Sequence, residues 1–113
     1  MEPAAYKISV AIPPGYKDEL MDAVNGSMGQ MYPGYDRAFS IMEAKGTWRS
    51  LEGSDPFIGR PGEVSVEDEL RIDFAVTAGD LKDVVLAIRR VHPYEEPAID
   101  ILPMVLWKDV IGH

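Results

Sequence analysis

LRIDFAVTAGDLKDVVLAIRRVHPYEEPAIDI, residues 70–101, holds half of the fold in one run. Leu70, Ile72, Phe74 and Val76 alternate with Arg71, Asp73, Ala75 and Thr77, the period-2 signature of a strand with one buried face. Gly79-Asp80 then opens a helix. Asp80 is expected as its N-cap, and Leu81, Val84, Val85, Ile88 and Val91 follow on one helical face. Arg89 and Arg90 fall in the last turn, where cations suit the helix dipole. Pro93 biases His92 out of the helical region, so the helix should stop there, and Pro97 biases Glu96 toward an extended shape. Ile99 and Ile101 alternate with Ala98 and Asp100 in a final strand, which Pro103 should end or place at a sheet edge.

Upstream, the other half has the same grammar. Tyr6, Ile8, Val10 and Ile12 alternate with Lys7, Ser9 and Ala11 and are followed by Pro13-Pro14-Gly15. From about Tyr16 to Met28, Leu20, Ala23, Val24 and Met28 take helical spacing, with Asp18 and Glu19 in the first turn. Ala38 to Trp48 reads as a second strand, and Ser50 to Gly62, broken by Gly53, Pro56, Gly59 and Pro61, as a long loop or extended hairpin tip. Glu63 to Asp68 extends the third strand, with a bulge expected at Glu67-Asp68-Glu69. Met104 to Trp107 is apolar enough to pack, and Lys108 to His113 reads as a fraying tail. The order β-α-β-β-α-β with right-handed crossovers predicts an α+β, ferredoxin-like sandwich: a four-stranded antiparallel sheet with two helices on one face, in a single domain spanning residues 1–113.

Composition narrows the function. Among 113 residues, 19 Asp+Glu against 11 Lys+Arg give a formal charge of −8. That field repels nucleic acid and anionic membrane and suits cations or a basic protein surface. With no Cys, disulfides, thiolate zinc sites and Cys nucleophiles are excluded. No stretch reaches the length of a membrane span, and Met1-Glu2-Pro3-Ala4 lacks a signal pattern, so a cytoplasmic location is expected. Gly26-Ser27-Met28-Gly29 is neither a dinucleotide nor a P-loop motif, and no Ser sits in a G-x-S-x-G setting.

Two places can still carry chemistry. In the hinge, His92, Glu95 and Glu96 offer an imidazole and two carboxylates to a divalent cation, or an acid–base pair to a substrate. Against this, adjacent residues in extended backbone point opposite ways, and one short turn leaves a coordination shell incomplete unless a neighbouring chain contributes. The structural alternative has His92 capping helix carbonyls, Tyr94 packing, and the carboxylates accepting backbone hydrogen bonds. In the long loop, Trp48, Phe57 and Arg60 could line a ligand cleft, or the loop could be an ordered plug or an oligomer contact. The candidate ligand-binding set is therefore His92, Tyr94, Glu95, Glu96, Trp48, Phe57 and Arg60; no complete catalytic set is present.

The run Gly46 to Gly59, GTWRSLEGSDPFIG, followed by Glu69-Leu70-Arg71-Ile72-Asp73 and by His92 to Ile101, HPYEEPAIDI, resembles the YqfO-type insert domain of the NIF-three (NGG-one interacting factor three) family. The likeness runs from the first strand to about Met104. The hinge is also similar to the H-x-Y-E-x-P element of CutA-type divalent-cation tolerance proteins, which share with PII-type signalling proteins a ferredoxin-like fold that assembles as trimers. The resemblance implies that fold and a homotrimer. It implies no activity: the family's dinuclear metal centre, sometimes described as that of a cyclohydrolase, takes its ligands from domains flanking the insert, and no residues here match those ligand motifs. The chain departs from the pattern at Met28-Gly29-Gln30-Met31-Tyr32-Pro33, where relatives have a small turn, and at Ile99, where they commonly have Tyr. The leading expectation is a non-enzymatic oligomeric binding or regulatory module, with a small molecule, a metal ion or a regulated protein as partner besides itself. The alternatives are a divalent-metal-binding protein using His92 with Glu95 or Glu96, and a small enzyme at a subunit cleft.

Overall fold

The computed structural model describes residues 2–112. The strands are β1 (Ala5–Ile12), β2 (Ser40–Arg49), β3 (Val64–Thr77) and β4 (Ile99–Met104); the helices are α1 (Lys17–Asn25), α2 (Leu81–Val91) and a short α3 (Trp107–Val110). The sheet runs in the order β2-β3-β1-β4, and every pairing is antiparallel. This is the expected α+β architecture, with β1 and β3 central.

Register explains the core. Ile8 lies opposite Phe74 and Ile101, and Val10 opposite Ile72 and Ile99. Their shared face meets Leu20 and Val24 of α1 and Val84 and Ile88 of α2, and all of these are buried except Ile99, which is half-buried, and Ile101, which is exposed. The opposite face carries a polar network. Ser9 donates to Asp73 (2.6 Å) and accepts from Arg71 (2.8 Å), which also pairs with Asp100 at 3.5 Å.

β1 stops at Ile12, opposite Leu70. Residues 64–69 of β3 therefore pair with β2 alone, from Ala44↔Glu69 to Arg49↔Val64. At about 3.3 Å per residue this two-stranded arm projects roughly 20 Å, and the molecule is accordingly elongated, 53 × 28 × 23 Å.

Several local readings change. The pairing passes through Glu67, Asp68 and Glu69 without interruption, so there is no bulge. The acidic triplet is accommodated by alternation, Asp68 pairing with Lys45 and Glu69 turning to the opposite side. Asp80 precedes α2 in helical conformation and makes no side-chain cap. Its carboxylate instead accepts from the Gly29 N–H (2.9 Å) and the Thr77 hydroxyl (3.3 Å). β2 begins at Ser40, and α1 ends at Asn25, with a turn over Gly26 to Ser27 in place of a further helical turn. Pro103 lies within β4, which is an edge strand. Part of the supposed tail is helical, as α3; His113 lies outside the described residues.

Candidate functional site

The hinge crosses the end of β1 at the root of the arm. His92 ends α2 because Pro93 follows it: its backbone is extended (φ −71°, ψ 127°), and its N–H still donates to the Ile88 carbonyl at 2.9 Å. The buried imidazole is fully engaged. Nε2 donates to the Ala11 carbonyl (2.6 Å), and Nδ1 accepts from the Tyr94 N–H (3.2 Å). A carbonyl only accepts and an amide N–H only donates, so the two bonds together fix the neutral Nε2–H tautomer. Burial lowers the pKa below the ordinary 6.5; the Ala11 bond and the Glu69 charge act upward, and Arg89 acts downward.

Tyr94 is the centre of the site. Its hydroxyl donates to Glu69 Oε2 at 3.0 Å. Its ring lies 5.4 Å from Trp48, 5.0 Å from His92 and 6.1 Å from Phe57. Phe57 in turn meets Tyr16 edge-on at 6.1 Å. Desolvation pushes the phenol pKa well above its usual value, and the bond and charge of Glu69 and then the charge of Glu67 add to it.

Glu69 is 8% exposed, although it is a carboxylate. Room for it comes from β2: Ala44 lies directly opposite, and Gly46 carries no side chain where a Cβ would collide with both carboxylate oxygens. Gly59, at φ +97°, closes the loop against Ser65 beside Trp48, a backbone shape that favours glycine. Glu95 is exposed, and both its oxygens accept from the Asp55 N–H (3.1 and 3.2 Å), tying the hinge to the long loop.

The structure thus brings together His92, Tyr94, Glu95, Trp48 and Phe57. Glu96 is exposed, and Arg60 is exposed with its side chain in no salt bridge among the described residues. Of the three residues expected to offer ligands to a divalent cation, His92 has both ring nitrogens hydrogen-bonded and Glu95 faces Asp55, and no group of three acidic or His side chains placed to hold a metal forms among the described residues. His92 does not cap helix carbonyls either, since its ring reaches across to β1. Glu69, Gly46 and Tyr16 also meet here, outside the candidate ligand-binding set that the sequence offers. The signal for Glu69 was alternation: counted from Leu70, it falls on the face shared with Trp48.

No family model matches the chain. A protein named GTP cyclohydrolase 1 type 2 homolog from Halalkalibacterium halodurans is 33% identical over 107 residues, covering 95% of this chain and 29% of the relative. The chain therefore spans less than a third of that protein's length. A solved Bacillus cereus protein related to NIF3 matches with a TM-score of 0.79 at 25% identity, over 92% of this chain and 26% of that one. CutA from Synechococcus elongatus PCC7942 matches at TM-score 0.64 and 16% identity, over 92% and 80% of the two chains. GlnK from B. subtilis matches at 0.62 and 13%, over 89% and 85%. At these identities the last two show the fold alone. The likeness to NIF-three-type proteins read from the sequence is found again both in sequence and in structure.

Proposed function

Starting from this resemblance to NIF-three-type proteins, we propose that the chain is a non-catalytic binding or regulatory module that works as an assembly of copies of itself, most simply a homotrimer. One observation carries the reading. Both outer strands, β2 and β4, keep one unpaired edge, and apolar groups stand exposed along them: Ile41 and Met42 on β2, Ile101 and Leu102 on β4, then Val105, Trp107, Val110 and Ile111. Free edges flanked by apolar side chains are what a neighbouring strand covers. The trimers implied by the CutA-type and PII-type resemblance supply the closed symmetry that such a head-to-tail contact requires.

The hinge supports the non-catalytic half of the reading. Both ring nitrogens of His92 are spent on Ala11 and Tyr94, and the Tyr94 hydroxyl on Glu69, so these bonds serve as a latch between α2, β1 and the arm. The relatives' name belongs to proteins of which this chain spans 29%, and no turnover is carried over from it.

Light scattering of dilute protein tests the assembly. A mass three times 12.5 kDa is expected. A mass near 12.5 kDa overturns the assembly reading, and a dimer overturns the threefold arrangement.

A further inference from the structure

Leu70 lies opposite Ile12, the last residue of β1; there the chain turns away through Pro14 while β2 and β3 run on as the arm. The corner so formed is a notch of about 620 Å³, within the roughly 300–1,000 Å³ of sites that take a drug-sized ligand. Pro14, Ala44 and the half-buried Leu70 give it apolar walls, and Glu43, Lys45, Asp68 and Glu69 stand around them. The Lys45 ammonium is already held by Asp68. The notch therefore keeps a net negative charge. Glu43 is its exposed carboxylate, in no salt bridge among the described residues.

The opposite end of β1 carries the complementary shape. β4 ends at Met104, opposite Ala5, and the chain goes on into α3. There Trp107, Val110 and Ile111 are each more than 60% exposed, an apolar knob with no cover from its own subunit. The Lys108 ammonium lies 5.6 Å from the centre of the Trp107 ring and is in no salt bridge among the described residues. The knob thus joins an indole to a positive charge. It cannot enter the notch of its own chain, because the eight residues of β1 separate the two, roughly 25 Å at about 3.3 Å per residue.

We propose that α3 of one copy inserts Trp107 into the notch at the arm's root of the next copy, with Lys108 set against Glu43. Size, polarity and charge match on the two sides. An indole fills the space between Pro14, Ala44 and Leu70, as buried Trp anchors do at the centres of interfaces. The unpaired ammonium meets the unpaired carboxylate, which fixes the register of the contact more than its strength. A knob at one end of β1 and a notch at the other make a head-to-tail contact, and such a contact ends only by closing into a ring. The inference deepens the assembly reading and rests on it: free strand edges let copies meet, and the knob and notch decide which ends do.

Charge exchange combined with fluorescence tests it. In a Trp48→Phe chain, where Trp107 is the one tryptophan left, acrylamide quenching should fall about threefold or more as light scattering shows the copies assembling. Lys108→Glu and Glu43→Lys, both on exposed side chains, should each raise the dissociation constant of the assembly about tenfold. The double variant Glu43→Lys with Lys108→Glu should return it to within about threefold of the parent, because the pair is restored with its signs exchanged. Lys82→Glu on α2 changes net charge as Lys108→Glu does and should leave it within about twofold. Trp107 as open to acrylamide in the assembly as in the separated chains overturns the docking and leaves the assembly standing. So does a double variant no better than the worse single one. Trp107 already shielded at the mass of one chain places it against its own subunit and overturns the docking as well. A mass of one chain at every concentration overturns the docking and the assembly together.

Discussion

The four-stranded body and the two-stranded arm are made from the same strands, yet they are held together differently. In the body, β3 presents Ile72, Phe74 and Val76 to two helices, and what is buried is hydrocarbon. Three residues before Ile72 the same strand, still alternating, buries Glu69 under Tyr94, and further out it leaves Val64 and Val66 more than 60% exposed. Alternation decides which side chains share a face, and what covers that face decides which of them are buried. Over the body the cover is a pair of amphipathic helices; over the arm it is the hinge and the glycine-rich loop. The first cover works through area removed from water, the second through specific hydrogen bonds and ring contacts.

The comparison breaks most sharply at Ile72 and Tyr94. Ile72→Ala opens a cavity beneath both helices and should cost about 2–5 kcal/mol of global stability, read from urea denaturation. Tyr94→Phe keeps the ring and removes the donor to a buried carboxylate. A loss of about 1–3 kcal/mol is expected, with fluorescence of Trp48 changing and the helices keeping their circular dichroism. Coupling confirms the assignment. In a double-mutant cycle Tyr94→Phe and Glu69→Gln should interact by at least about 0.5 kcal/mol, whereas Tyr94→Phe and Ile72→Ala should add independently.

Acid sharpens the contrast further, with a smaller effect. The folded state holds His92 neutral with its pKa lowered from 6.5, chiefly by burial. The unfolded chain then binds more protons below that value, so stability falls as pH drops from about 6.5 toward the folded pKa and levels off beneath it. Protonation adds a hydrogen to Nδ1, the atom that accepts from the Tyr94 N–H, so the hinge should loosen before the core. Amide exchange at Tyr94 should rise between pH 7 and pH 5 while that of Ile8 and Val10 holds. His92→Gln should remove this part of the pH dependence.

Much of this was legible in the sequence. Period-2 runs at Tyr6–Ile12 and Leu70–Val76 and the helical face from Leu81 to Val91 fix the sheet and one helix, because each has a single way to bury its apolar residues. The two prolines around the hinge marked where α2 ends, and the expectation that Tyr94 packs and that a carboxylate accepts backbone bonds matches Tyr94 and Glu95. The partners themselves were not legible. The bond from His92 to Ala11 spans 81 positions and that from Tyr94 to Glu69 spans 25. No local pattern encodes such pairs; they follow from β1 stopping at Ile12 and leaving the arm's root open for the hinge to cross. The acidic triplet misled for a related reason. Three consecutive acids suggest a disturbed strand, but alternation sends Asp68 to Lys45 and Glu69 to Tyr94 without a break in the ladder.

The smallest effect distinguishes two roles for Asp80 within the body itself. Local pattern makes it the N-cap of α2, whose loss would free amides in the first helical turn. In the structure its carboxylate reaches the other way, to the Gly29 N–H at 2.9 Å in the segment joining α1 to β2, and to the Thr77 hydroxyl at 3.3 Å. Either role assigns Asp80→Ala a cost of about 1 kcal/mol, so stability alone does not separate them. Position does. If Asp80 is a tether, hydrogen exchange in Asp80→Ala should speed at Gly29 and its neighbours while the amides of Lys82 and Asp83 keep their protection. If the amides of Lys82 and Asp83 lose protection and Gly29 does not, Asp80 is a cap after all. Asp80→Asn, which keeps one side-chain oxygen to accept the Gly29 N–H, should restore most of that protection, because the bond at issue needs an acceptor and not a charge.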